Sequence, residues 1–450
     1  MSKKIIYLLS LLMALSLVFA GCKKASTAPT GEGPTKEDEV KPPSNLGNTG
    51  LFDTQTKLDE YKEKPIQQST EVAKYENGNY MRNPVITVVG GSTVVVFYEI
   101  RYQTAGAGND VALTGENAVS IAYVQSKDSG ISFSTTGMGE VKYVGGAASS
   151  GAADAHGAPI VFNTGKEIVV VASAGIGLSS GVYNGSDKVS KLQYSVASIG
   201  ADNTVGDFGP WQDMSAPGDV AKNGYTQYGT HSARGTIADD GTLLLPVTLA
   251  DYTQNPSKFG YVLYTGTVRG NTVNWTATTK RVNMPNNSGV VKETRIPKGT
   301  SADDYVYLAV SSDTVRISQG KGANSISSAN IQGSDGSAGT LVVTNWYGDA
   351  SYDPNNANGG TKQAILSHVL GTEQNLAIRL VDENFANQTS GNFALGGAYE
   401  ANAKSSSMDV LKDGTIVMIA EGGKVTDAAT RPFYIYFSRF SQAYIANQTK

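Results

Sequence analysis

Guanidinium, carboxylate and phenol groups crowd into one stretch of this chain, residues 81–133. It opens with Arg82-Asn83-Pro84, runs on through Tyr98-Glu99-Ile100-Arg101-Tyr102, and reaches Asn109-Asp110 by a polar, Gly-containing loop. It closes on the turn Ser126-Lys127-Asp128-Ser129-Gly130-Ile131-Ser132-Phe133. A fixed arginine recognises carboxylate or phosphate by bidentate pairing, and a carboxyl group beside it can move a proton. Other chemistries have less to draw on. The only histidines, His156, His231 and His368, show no metal-ligand spacing and read as polar loop residues. Gly320-Lys321-Gly322 and Gly359-Gly360 are anchored to no strand–helix unit, so neither reads as a phosphate loop. Asp202, Asp303-Asp304 and Asp353 lack the regularly spaced oxygen ligands of a calcium loop. The expectation is a site with no metal and no cofactor.

These residues need a scaffold, and the pattern around them is repetitive. A polar entry, a short apolar strand, a Gly-containing turn and a second apolar strand follow one another at residues 82–98, with the turn at Gly90-Gly91. The same order recurs at 158–171, 234–247, 294–310, more weakly at 334–345, and again at 406–420. Six such hairpins give roughly 60 residues per unit, the size of a four-stranded propeller blade. With 51 glycines, 23 tyrosines and only 17% charged residues, composition also favours strands and turns over long helices. Between hairpins lie polar turns that end in an aromatic residue: Ser126…Phe133, Asp202…Trp211 and Thr265…Trp275. The fold expected is all-β, a six-bladed β-propeller over residues 79–450.

The first unit resembles the opening of the sialidase (neuraminidase) superfamily. That family begins Arg-Ile-Pro, continues through a segment like Phe-Ala-Glu-Gly-Arg to a loop Asp, and closes on an Asp box, Ser-x-Asp-x-Gly-x-Thr-Trp. Here Arg82-Asn83-Pro84, Tyr98-Glu99-Ile100-Arg101 and Ser126/Asp128/Gly130/Phe133 stand in those places, with Asn for Ile and Phe for Trp. The ending Ile435-Tyr436-Phe437-Ser438-Arg439-Phe440 is similar to the family's closing strand, expected to complete the last blade against the first. The resemblance runs from 79 to 445 and is weakest between 312 and 395.

It implies a chemistry in which arginines hold the carboxylate on the anomeric carbon of sialic acid. A carboxylate nucleophile would be repelled there, so a Tyr activated by Glu attacks and an Asp serves as acid/base. By resemblance Arg82 binds the carboxylate with Glu421 supporting it, Arg101 lines the rim, and Asp110 is the acid/base. Glu293 begins the fourth blade as the activating Glu does, and Tyr399 is the candidate nucleophile through an altered loop. The chain also departs from the pattern. Ser311 stands where a second Arg is expected, leaving Arg295 or Arg316 as substitutes, and nothing between 324 and 341 is basic. The position of the family's Tyr holds Ser405. The implied function is an exo-α-sialidase acting on sialylated glycans or glycoproteins. The alternatives are a non-catalytic sialidase-like propeller that binds glycan or protein, and a propeller glycosidase for a different sugar.

The chain begins as an exported one. Lys3-Lys4, an apolar run over 5–20 and Ala20-Gly21-Cys22 read as a signal peptide over 1–21. Its end resembles a bacterial lipobox, with Phe19 in place of the usual Leu, making Cys22 the lipidated residue and a membrane the anchoring partner. Residues 22–55 are polar with almost no large apolar groups and read as a flexible tether. Residues 56–78 form a short extension, and the charged part from 58 to 74 suggests a helix. Cys22 is the single cysteine, so no internal disulfide is possible. A net charge of -4 argues against nucleic acid as a partner. The location expected is the bacterial cell envelope, lipid-anchored at the outer membrane or cell surface.

Overall fold

The computed structural model describes residues 61–450 apart from 75, 77, 103–114, 134–140, 180–188, 219–223, 256, 284–289, 296–303, 312–313, 322–324, 332–334, 347–360, 372–373, 382–389 and 424–432. For the strands within 278–339, and at 343, 345, 361 and 362, the description is of the backbone alone. Cys22, the leader and the tether lie outside the described residues, as does Asp110.

Alternation within the first hairpin shows how the fold arises. Strand Tyr80–Val89 pairs with Thr93–Arg101 through Gly90 and Gly91, both at positive φ (58° and 81°). Val85, Val89, Val95 and Phe97 point to one face, where they meet Val161, Ile168 and Val170 of the second sheet and Phe208 of the connection between its last two strands. Ile86, Val94, Val96 and Tyr98 point to the other, against Val417, Ile419, Ile435 and Phe437 of the last. Both faces are apolar because both are covered, which is why the strands read as near-continuous hydrophobic runs. A sheet packed on each side by another sheet is a blade.

The described strands form six antiparallel sheets of four or five strands, one of which takes in the short parallel strand Ala233–Arg234. Successive sheets pack in chain order, and the sixth returns to the first, where strand Tyr80–Val89 meets Ser406–Val410. The protein is an all-β propeller, with its cores lying between sheets.

Two elements differ from the sequence reading. The stretch expected to be helical contributes strand Gln67–Ala73, paired antiparallel with Tyr434–Phe440 as the outermost strand of the last sheet. The open edge of the closing strand presents unpaired main-chain groups, and pairing them outweighs the charged character of the segment. The ring is therefore closed by the N-terminal strand, beyond residue 79 in the other direction. The weak fifth hairpin is a single strand, Asp335–Trp346, whose partner is Thr361–Gly371. Its Asp335-Gly336 is no turn but part of a register irregularity between Asp335 and Thr340.

The turn after strand Val119–Ser126 is fixed by its own side chains. Asp128 accepts hydrogen bonds from Ser126 Oγ, Ser132 N and Ser132 Oγ, while Gly130 N donates to Ser126 Oγ at 2.7 Å. Phe133 packs edge-on against Phe437, with ring centroids 5.1 Å apart. Gly130 has φ +87°, and a Cβ there would fall 2.2 Å from Phe437 Cζ. Gly130→Ala is therefore expected to destabilise by about 2 kcal/mol, from left-handed strain plus displacement of the ring. A urea titration checks it, and an unchanged midpoint would refute the packing argument.

Candidate functional site around Arg82

Arg82 sits at the entry of the first sheet's first strand and is only 2% exposed. A buried guanidinium requires a counter-charge, and Glu421, with no exposed surface on strand Ile416–Gly422, supplies it: Nε donates to Oε1 at 2.8 Å. The guanidinium carbon lies 3.8 Å from the centroid of the Phe433 ring, adding a cation–π contact. The pair joins the first sheet to the last across the ring closure.

The backbone beside Arg82 is irregular for a reason. The ladder slips between Arg82 and Val85, and Asn83 takes φ +53°. This turns Asn83 N away from its strand partner and onto Glu421 Oε1, at 2.7 Å. The Asn83 side chain turns the other way, donating from Nδ2 to Glu99 Oε1 at 3.0 Å. Glu99 stands opposite Arg82 in register and is 2% exposed. Its Oε2 accepts from Arg101 Nε at 2.7 Å, and its Oε1 also accepts from Ala158 N at 2.6 Å. Burial works to raise the Glu99 pKa, but the Arg101 charge and the hydrogen bonds from Ala158, Asn83 and Arg101 together hold it below the usual carboxylate value.

Ala158 repeats the geometry of Asn83 one sheet further on. It has φ +51° at a register shift between Gly157 and Ile160, in the entry of strand His156–Asn163. Its carbonyl accepts from Thr230 Oγ1 at 2.6 Å. Two bulged strand entries are thus tied together by Glu99, and two arginines are each held through Nε by a buried carboxylate. The product is a charge-compensated cluster, Arg82/Glu421 and Arg101/Glu99.

Other expected site residues fall elsewhere. Tyr399 ends the short 3-10 helix Gly397–Tyr399 and has no exposed surface. It lies in the core between the fifth and last sheets with Met408, Ile416, Met418 and Phe440. Its hydroxyl is 2.7 Å from Ser438 Oγ, and its ring meets Tyr436 edge-on. In this conformation the phenol is enclosed and its hydroxyl engaged. Ser405, at the position of the family's Tyr, accepts from Glu421 N through its carbonyl at 2.8 Å. Glu293 and Arg295 lie on Val290–Arg295, the first strand of the fourth sheet, with Glu293 opposite Leu308. Arg316 lies on the third strand of that sheet, Thr314–Lys321.

Ala158 and Phe433 are the participants that residue patterns did not single out, and Asn83 and Glu99 stood in the motif segments with no expected role. Glu99 alone left a signal, a carboxylate in the otherwise largely apolar strand Thr93–Arg101. Arg234 is another cross-sheet link: Nη1 donates to Met408 O at 2.9 Å and Nη2 pairs with Asp409 Oδ1 at 3.0 Å. Asp409 Oδ2 in turn accepts from Val88 N. Among the described residues no group of three or more His, Cys, Asp or Glu is placed to hold a metal ion.

The sequence matches no protein-family model and no curated protein. Solved structures do match. The chain superposes on a Trypanosoma rangeli sialidase in complex with sialic acid at a TM-score of 0.59 and 13% identity, covering 84% of this chain and 59% of that one. An intramolecular trans-sialidase from Ruminococcus gnavus in complex with oseltamivir carboxylate gives a TM-score of 0.55 at 12% identity, covering 85% of this chain and 98% of that one. A protein of unknown function from Dyadobacter fermentans is equally similar, with a TM-score of 0.56 at 12% identity. The chain thus spans 59% of the length of the trypanosomal enzyme. At these identities the shared property is the fold alone, a β-propeller like that of these two enzymes.

Proposed function

We propose that the chain is an exo-α-sialidase that takes terminal sialic acid from glycoconjugates at the site around Arg82. The observation that carries this reading is the buried Arg82–Glu421 pair at the first strand entry, stacked on Phe433 and fixed through Nε. A guanidinium locked in plane meets a carboxylate with little loss of side-chain entropy. In this reading Arg82 holds the sugar carboxylate, Arg101 borders the pocket, Asp110 acts as acid/base, and Glu293 activates Tyr399 as the nucleophile. The direct test is release of the fluorophore from an α-sialoside by the purified chain at pH 5–7, with the matching neutral glycoside as control. Release from the sialoside alone supports the reading, and its absence from a folded chain removes hydrolysis.

One observation favours a second reading, recognition without cleavage. Tyr399 is enclosed and its hydroxyl engaged by Ser438, while Ser405 holds the place of the family's nucleophile. Tyr399→Phe should therefore lower stability by about 1 kcal/mol, the worth of one buried hydrogen bond, and leave sialoside binding unchanged. Loss of turnover in a stable Tyr399→Phe chain would return the nucleophile role to Tyr399.

We further propose a lipid anchor on Cys22 that tethers the propeller to the cell envelope. A single acyl chain binds membranes marginally, and stable anchoring takes more than one. Cys22→Ser should move the chain from the membrane fraction to the soluble fraction, and retention of the variant in membranes would contradict the anchor.

A further inference from the structure

The chain enters its third sheet along a segment that first pairs with the second. Strand Ala233–Arg234 runs parallel to Ile160 and Val161, at the free side of strand His156–Asn163. Gly235 N continues the contact, donating to Val161 O at 2.7 Å. That free side is the axial side of the sheet, because the first strands of the first, second and last sheets meet one another there. Accordingly Ala233–Arg234 lies against strand Tyr80–Val89, and Arg234 reaches Met408 O and Asp409 on the last sheet.

Four residues earlier the same segment is pinned at its other end. Thr230 N donates to Ser173 Oγ at 2.8 Å, and Thr230 Oγ1 donates to Ala158 O at 2.6 Å. Gly229 approaches the second sheet so closely that a Cβ would stand 2.7 Å from Ser173 Oγ. Since Ala158 N donates to Glu99, and Asn83 does the same from Nδ2, one hydrogen-bonded series links the entries of the first three sheets.

His231 lies between these two fixed points. Thr230 and Ser232 on either side of it are 3% and 1% exposed, whereas His231 is only half-buried. The segment turns its hydroxyl groups inward and its imidazole outward. With the second sheet behind it, outward is the mouth of the ring, where Arg82 enters the first sheet. We propose that His231 is a substrate-contacting residue of the site around Arg82, forming a hydrogen bond with a hydroxyl group of the sugar whose carboxylate Arg82 holds. The inference rests on the sialidase reading and adds an uncharged contact to it. Sialic acid presents a carboxylate and several hydroxyl groups. A guanidinium serves the first, and an imidazole, with one donor and one acceptor nitrogen when neutral, serves the second. Linking the two through Glu99, Ala158 and Thr230 sets their separation, which selects a sugar acid over a simple carboxylate.

The test combines a soak of wild-type crystals in sialic acid with titrations of sialic acid into the wild type, His231→Ala and His231→Gln. The soaked crystals should place a sugar hydroxyl within hydrogen-bonding distance of the imidazole. His231→Ala should bind about 2- to 12-fold more weakly, the loss of one neutral hydrogen bond. His231→Gln keeps a donor and an acceptor and should recover most of the affinity, which a merely structural role would not produce. The soak decides the matter even where a variant fails to fold. A sugar seated with its carboxylate on Arg82 but with no hydroxyl in reach of His231, or equal affinity in His231→Ala and the wild type, would overturn this contact and leave the sialidase reading standing. Sialic acid absent from Arg82 would remove both.

Discussion

Arg82→Ala is expected to weaken binding or turnover of a terminal sialoside by about 30- to 4,000-fold, leaving any binding of the asialo glycan unchanged. The range follows from the 2–5 kcal/mol lost when one partner of a buried, hydrogen-bonded charge pair is truncated. Two effects combine. The sugar carboxylate loses its cation, and Glu421 is left buried with Asn83 N donating to the oxygen that Arg82 held. Arg82→Lys should recover little, because a point ammonium cannot reproduce the Nε–Glu421 contact and the stacked plane together. The comparison is made by titrating a sialylated trisaccharide and its asialo counterpart into each folded variant. Equal losses for both sugars would show that Arg82 supports the fold rather than the carboxylate.

The second large effect belongs to Glu99. Glu99→Gln removes the charge that compensates Arg101 and turns a donor toward Arg101 Nε or Ala158 N, each of which needs an acceptor. Breaking one side of a buried ion pair costs about 3–5 kcal/mol, so the variant should unfold at much lower urea than the wild type at pH 7. The pH dependence gives the sign. The folded pKa of Glu99 is depressed below its ordinary value of 4.5, so its contribution is fully present above that value and is lost as pH falls through the folded pKa. The stability gap between wild type and Glu99→Gln should therefore be constant from pH 7 to about 5 and close on further acidification. A gap that persists unchanged to pH 3 would mean that Glu99 acts by shape and not by charge.

Much of the scaffold was legible because blades obey local rules. Gly90-Gly91 occupies the positive-φ turn between apolar strands where the sequence placed it, and Asp240-Gly241 and Asp413-Gly414 make like turns, with Gly241 and Gly414 at positive φ. The fifth sheet was not legible. Asp335-Gly336 carries the same turn signal but sits in a bulge, and its partner strands, Thr361–Gly371 and Gln374–Val381, interleave Lys, Gln, His and Arg with the apolar residues. Strand Gln67–Ala73 escaped notice because its reason to exist is a vacant edge nearly 370 residues away in the chain.

The site divides in the same way. Arg82 and Glu421 were identified by motif, and the structure places them in contact. Glu99 and Arg101 stood in the motif segment, but the network between them was not legible because two of its donors depend on backbone bulges, at Asn83 and Ala158, which no residue pattern announces. Tyr399 lay close in sequence to the expected nucleophile position, yet six residues of chain were enough to carry it into the core beside Ser438. Glu293, Arg295 and Arg316 were chosen by position on the fourth sheet, and Arg316 lies two strands away from Glu293.

The central claim is that a sugar carboxylate is recognised at Arg82. The most direct measurement is a crystal structure of the chain soaked with sialic acid. The account predicts the carboxylate of the sugar within hydrogen-bonding distance of the Arg82 guanidinium, with the Arg82–Glu421 contact of 2.8 Å retained. Sialic acid bound elsewhere, or absent from Arg82 at saturating concentration, would contradict it.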